Sequence, residues 1–190
     1  MSVVASALIL DATAPTLTEA QLRQRAMAAK DAGLFGLCVL SGRVRQAAIM
    51  VARSNVHICT LIGFPTGVQA ASVKALETRL ALQDGAYDIA VTANLGYFFG
   101  EEELQLANEI AYVAKTQREV APAKAHNLAI VIDMDVMPIT GLARLSVQVQ
   151  RSGGHGFYLC WQVPPAPDQL RAVFNALSPR LTIDLITIHS

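Results

Sequence analysis

The run V-H-I-C-T-L-I-G-F-P-T-G, Val56–Gly67, decides how this chain is read. Its first half is short and apolar, as a buried strand is, and its second half is a turn punctuated by Gly63, Pro65 and Gly67. Ala70–Gln83 then carries an amphipathic run that ends at Asp84-Gly85, and Ile89–Ala93 is again short and apolar. Strand, crossover helix and strand in this order make a parallel βαβ unit, whose connection needs a dozen or more residues.

The same alternation extends in both directions. Strands are predicted over Ala7–Leu10, Leu37–Leu40, Ile58–Ile62, Ile89–Ala93, Leu128–Met134, Phe157–Trp161 and Leu181–Ile188. Helices are predicted over Val44–Arg53, Ala70–Gln83, Glu101–Lys115 and Gly141–Arg151, with one more ending at Asp31 and another capped by Asp168. Thr18 followed three residues on by Gln21 reads as a capping box for the first helix. Seven strands alternating with helices give an α/β class in a single domain over residues 1–190. An open doubly wound sheet and a (β/α)8 barrel short of its last unit both satisfy that pattern. No G-x-G-x-x-G and no G-x-x-x-x-G-K-[ST] follows a strand, which argues against dinucleotide and P-loop binding. In either architecture, functional groups gather at the C-terminal ends of the strands.

Composition narrows the partners. The chain is 53% hydrophobic and only 16% charged, as expected of a sheet covered on both faces. Lys+Arg and Asp+Glu balance at 15 each, so neither nucleic acid nor an anionic membrane is an expected partner. No apolar run reaches the roughly 18 residues of a membrane span. No basic stretch precedes the first apolar residues, so no signal peptide is expected. Cys38, Cys59 and Cys160 lie in apolar runs and read as buried thiols of a reducing compartment, which points to the cytoplasm.

Several stretches together resemble the deoxyribose-phosphate aldolases. They are L-D-A-T at Leu10–Thr13, C-V-L-S-G-R-V at Cys38–Val44 and H-I-C-T-L-I-G-F-P-T-G at His57–Gly67. V-K-A-L-E-T at Val73–Thr78, D-G-A-Y-D-I at Asp84–Ile89 and A-N-L-G at Ala93–Gly96 complete the match. The likeness is tight from Ala7 to Gly96 and looser beyond. It implies a TIM-barrel-like (β/α)8 fold, here incomplete with about seven strands. It also implies class I aldolase chemistry: a Schiff-base lysine on strand six, an aspartate on strand four and a second lysine on strand seven. A nucleophilic lysine needs its pKa lowered, and the neighbouring cation would do that.

Carried over position by position, those three roles fall on Leu159, Ala90 and Asp184, so no catalytic residue is expected. No lysine follows Lys124. If strand parity follows the family, the pocket candidates are Asp11, Cys38, Leu40, Thr92, Asp133, Asp135 and Trp161, with Ala90, Leu159 and Asp184 at the degenerate positions. That set holds four carboxylates and no cation, which does not suit a sugar phosphate. Asp133 and Asp135 lie two apart, which places both carboxylates on one face of a strand. No metal and no cofactor is expected, the aspartates instead bonding local backbone. His155 reads as a solvated loop histidine, although a Cys160–His155–Asp135 constellation can be drawn. Lys74 reads as a solvated lysine on the outer ring.

The expected function is a non-catalytic, aldolase-like protein with a structural, regulatory or assembly role. The alternative is a carbon–carbon lyase of the same type with relocated or metal-assisted groups. A seven-stranded barrel would keep two unpaired edges, so a homo-oligomer or a partner protein covering the open edge is expected.

Overall fold

The computed structural model describes residues 9–121, 128–160 and 166–177, and the backbone of 182–186. Seven parallel strands lie in sequence order: β1 (Ile9–Ala12), β2 (Gly36–Leu40), β3 (His57–Ile62), β4 (Asp88–Thr92), β5 (Leu128–Asp133), β6 (Gly156–Cys160) and β7 (Thr182–Ile186). Each strand pairs only with its sequence neighbours. The fold is therefore an incomplete TIM-barrel-like α/β fold. Cα atoms of β1 and β7 approach within 8 Å of each other without forming a ladder among the described residues. The two edges thus face one another, as they would in a barrel short of one strand.

The helices are α1 (Glu19–Asp31), α2 (Val44–Met50), α3 (Ala71–Gln83), α4 (Leu95–Phe99), α5 (Glu103–Val120), α6 (Ile139–Arg151) and α7 (Pro167–Ala176). The expected capping box forms: Thr18 Oγ1 accepts from the Gln21 amide at 3.3 Å, and Gln21 Oε1 accepts from the Thr18 amide at 2.8 Å. The helix predicted over Glu101–Lys115 forms as α5, and before it the sequence reading has no counterpart to the short α4, which Asn94 caps by accepting from the Gly96 amide. One helix expectation needs correction. Asp168 does not cap α7; it sits in the first turn, and Gln169 reaches back to the Ala166 amide.

Two apolar layers result from the alternation of side chains along parallel strands. The outer layer packs Leu37, Val39, Ile58, Ile89, Val91, Ile130, Ile132, Phe157 and Leu159 against the helices. The inner layer holds Cys38, Cys59, Leu61, Ala90, Ala129, Val131, Tyr158 and Cys160. Strand six therefore turns Tyr158 and Cys160 inward and Leu159 outward. Leu159, expected inside the barrel, pairs with Ile132 and shares its helix-facing side. Every residue of that strand after Gly156 is apolar, so only its register with β5 fixes its parity.

Candidate active site

A cavity of about 540 Å³ opens at the C-terminal ends of β3, β4, β5 and β6. Its apolar wall comes from Phe64, Pro65, Val68, Leu95, Val131 and Val136, and its polar groups are Thr66, Thr92, Asn94, Asp133, Asp135 and Cys160. This is the face where the strand topology places function.

Of the pocket candidates read from the sequence, Thr92, Asp133 and Asp135 line this cavity. Cys38 and Ala90 are fully buried in the inner layer below it. Leu40 pairs with Leu61, and Asp11 pairs with Cys38; neither reaches the cavity. The Asp11 carboxylate closes its own turn, accepting from the Thr13 amide at 2.9 Å and the Thr13 hydroxyl at 2.7 Å. Trp161 and the side chain of Asp184 lie outside the described residues.

Asp133 ends β5, so Asp135 stands in the following turn rather than on the same strand face. Asp133 Oδ1 accepts from the Asp135 amide at 2.9 Å and shapes that turn. Both carboxylates raise the Cys160 thiol, which burial above all pushes up to about 12. Cys160 donates to the Ile132 carbonyl at 3.2 Å. Burial likewise holds the Cys38 thiol well above its usual range, with Cys59 and Asp11 adding to it. All three cysteines are buried, and none is in a disulfide. His155 lies at the opposite end of the sheet, where its Nδ1 accepts from the Leu128 amide at 3.2 Å. The Cys160–His155–Asp135 constellation is therefore not assembled. Among the described residues, no group of three or more His, Cys, Asp or Glu side chains is arranged to hold a metal ion.

The largest correction concerns Lys74, which is fully buried rather than solvated. Its ammonium meets Glu109 Oε2 at 3.0 Å, the Thr92 carbonyl at 2.8 Å and the Gly67 carbonyl at 2.5 Å. Three acceptors match the three N–H donors of an ammonium. Burial lowers the Lys74 pKa, opposed chiefly by Glu109, and raises that of Glu109, opposed by Lys74. Glu109 Oε1 also accepts from the Asn94 amide at 3.1 Å. One turn further along α3, Glu77 accepts from the Gly63 amide at 2.9 Å and the Ser41 hydroxyl at 2.5 Å. Two helices thus tie together the segments that leave β2, β3 and β4, directly behind the cavity wall.

The sequence did hold a signal for this burial. The buried residues of α3 are Lys74, Ala75, Thr78 and Ala81, whereas Val73, Leu76 and Leu80 are about half exposed. Small residues recurring at Ala75, Thr78 and Ala81 mark the close-packed face, and Lys74 lies on it. The large apolar residues, which a helical wheel would turn inward, face out. Gly67 belongs to the same construction: its φ is +69°, and a Cβ there would stand 2.3 Å from the Ala93 carbonyl oxygen. Only glycine allows that approach of the turn to the end of β4.

Comparison with known proteins agrees with this geometry. The deoxyribose-phosphate aldolase of Macrococcus caseolyticus (strain JCSC5402) is 29% identical over 130 residues, 68% of this chain and 59% of that protein. Deoxyribose-phosphate aldolase 2 of Staphylococcus aureus (strain MRSA252) is 30% identical over 150 residues, 78% of this chain and 66% of that protein. Among solved structures, the deoxyribose phosphate aldolase of Aeropyrum pernix, described as a unique tetramer, matches with a TM-score of 0.79 at 18% identity. That match covers 96% of this chain and 76% of the Aeropyrum chain, and at this identity it speaks for the fold. No protein-family model matches the chain. The chain spans between half and two-thirds of the length of the first curated relatives, 51% to 66%. In sequence the chain is similar to the deoxyribose-phosphate aldolases, and in fold it is similar to their solved structures.

Proposed function

We propose that this chain is a non-catalytic, aldolase-like protein whose cavity does not form an imine with a carbonyl substrate. The observation that carries this reading is the cavity lining: two carboxylates, a thiol, hydroxyls and an amide, with no amine among the described residues. Class I aldol chemistry needs a neutral amine within bonding distance of a carbonyl carbon. On strand six the inward positions hold Tyr158 and Cys160, and on strand four Ala90 stands where the family's aspartate would be. Asp184 pairs with Tyr158 in the sheet, at the strand-seven position expected for the activating lysine. The test is incubation with deoxyribose 5-phosphate or acetaldehyde, borohydride reduction and intact mass. No adduct is expected; a stoichiometric adduct on one lysine, with turnover lost on replacing it, refutes the reading.

One observation favours the alternative, a lyase with a relocated amine. Lys74 is buried with a lowered pKa, and it bonds the backbone of Gly67 and Thr92 at the cavity wall. Its three donors are all engaged with acceptors on the helix side, which supports a structural role for it. Mapping an adduct to Lys74 would decide for the lyase.

For assembly, we propose a homo-oligomer in which a second copy covers the exposed face of α3. Val73, Leu76 and Leu80, at spacings of three and four on that helix, are 52%, 56% and 52% exposed. The tetrameric description of the Aeropyrum pernix relative supports self-association. Light scattering on the native chain should give a dimer or larger, and Leu76→Glu with Leu80→Glu should give a monomer. A native monomer at micromolar concentration refutes it. Buried cysteines outside any disulfide fit a reducing compartment such as the cytoplasm. Among the described residues, no helix is long and apolar enough to cross a membrane.

A further inference from the structure

The cavity at the ends of β3 to β6 has a chemical bias of its own. At one side stand the carboxylates of Asp133 and Asp135. Among the described residues, no lysine, arginine or histidine lines it. A phosphate brought here would meet like charge, whereas a cation would be drawn in.

A second, independent feature points to a bound ligand. Thr92 is only 8% exposed, and its hydroxyl is buried with no hydrogen-bond partner among the described residues. It lines the cavity on the inward side of β4, in register with Val131 of the inner layer. A buried hydroxyl left unbonded is unfavourable, so a polar ligand group that satisfies it is favoured there. The remaining lining is largely apolar, led by Phe64, Val131 and Val136. Burial is the main cause of the raised Cys160 thiol, and the negative charges of Asp133 and Asp135 add to it.

We propose that this cavity binds a small organic cation, an ammonium group on an apolar body, through Asp133, Asp135 and the Thr92 hydroxyl. The proposal deepens the non-catalytic reading, since it rests on a cavity without an amine of its own. A volume of about 540 Å³ accommodates a compact aromatic or branched aliphatic amine. The ammonium would face the two carboxylates, and the apolar body would lie along Phe64 and Val131.

Calorimetric titration with 2-phenylethylamine, 2-phenylethanol and deoxyribose 5-phosphate tests it. The alcohol matches the amine in shape and lacks its charge. The amine should bind at least about tenfold more tightly than the alcohol, and more weakly as salt is raised. Asp133→Asn should reduce amine binding by a similar factor. Thr92→Val should weaken it less and, by removing an unbonded buried hydroxyl, should not lower the thermal midpoint of the ligand-free protein. Equal binding of amine and alcohol, absence of amine binding at 10 mM probe, or tighter binding of deoxyribose 5-phosphate overturns the proposal. Displacement of the amine by millimolar Mg²⁺ would assign the carboxylates to a metal and overturn it as well. Borohydride trapping reports separately on the imine, so the cation site can fail while the non-catalytic reading stands, and the reverse.

Discussion

Replacing Lys74 by methionine should destabilise this protein far more than replacing an exposed helix lysine. The substitution keeps the length of the side chain and removes only the ammonium. It leaves the Glu109 carboxylate, 3% exposed, without its counter-charge. It also removes the donor from the Thr92 and Gly67 carbonyls. Breaking one side of a buried ion pair costs about 3–5 kcal/mol, which in a chain of this size lowers Tm by roughly 6–20 °C. Urea unfolding followed by circular dichroism reads the loss as a lower midpoint at unchanged slope. The double variant Lys74→Met with Glu109→Leu removes both charges. It should lose clearly less than the sum of the two single variants, with a coupling of about 1–3 kcal/mol. Some loss should remain, because the Asn94 amide and the two carbonyls lose their side-chain partners. A single-variant loss within about 0.5 kcal/mol, the ordinary range for surface substitutions, would refute the burial argument. So would strict additivity of the pair.

Three further outcomes are expected. In Glu109→Gln, Lys74 loses the carboxylate that opposes its lowered pKa; the unfolded chain then binds a proton that the native chain does not between the depressed value and the ordinary one of about 10.4, so stability should rise from pH 7 to pH 9.5 more steeply than in wild type. Parallel urea midpoints for the two proteins would contradict this. Gly67→Ala should cost about 1–3 kcal/mol, because φ is +69° and the added Cβ meets backbone at 2.3 Å rather than a yielding side chain, and a thermal midpoint equal to wild type would count against that turn geometry. Cys160, with its thiol held up near about 12, should be alkylated by iodoacetamide at pH 7.5 about a thousandfold more slowly in the native chain than in urea, read by peptide mass; comparable rates would show that the thiol is not buried as described.

The strands were legible because each is a short apolar run bounded by turn residues. Strand positions β2 to β4 agree with their sequence readings to within one residue at either end, for instance Gly36–Leu40 against Leu37–Leu40. What the sequence withheld was orientation. In the apolar stretch F-Y-L-C no alternation of polarity marks an inner face, so Leu159 was read inward when Tyr158 and Cys160 are the inward residues. The polarity of α3 misled in the other direction. A lysine between Val73 and Leu76 looks like the solvated side of an amphipathic helix, yet the helix buries Lys74 with Ala75 and exposes Val73 and Leu76. Burial of a charge is tolerated only where partners saturate it, and those partners come from Glu109 and two carbonyls distant in sequence. No local pattern could disclose them.

Those partners also explain what the family likeness means. Four of the six matching stretches contribute to two adjoining sets of bonds, around Glu77 and around Lys74: Ser41 in C-V-L-S-G-R-V, Gly63 and Gly67 in G-F-P-T-G, Lys74 and Glu77 in V-K-A-L-E-T, and Asn94 in A-N-L-G. Glu109, outside the matched stretches, joins Lys74 to Asn94. Each of these residues acts by holding the exit of β2, β3 or β4 in place, and none requires a substrate to do so. Agreement in these motifs is therefore evidence for the geometry of the strand ends, which an aldolase and a non-catalytic relative need equally. Evidence on catalysis has to come from the side chains that project into the cavity, and there the chain presents Thr92, Asp133, Asp135 and Cys160. A scaffold held by its own buried ion pair can keep its shape while those cavity residues change, because Lys74 and Glu109 bond the backbone of Thr92 and Asn94 and not their side chains. That separation is why the loss of stability expected for Lys74→Met and the loss of cation binding expected for Asp133→Asn should be independent: the first should move the urea midpoint, the second the titration, and neither both.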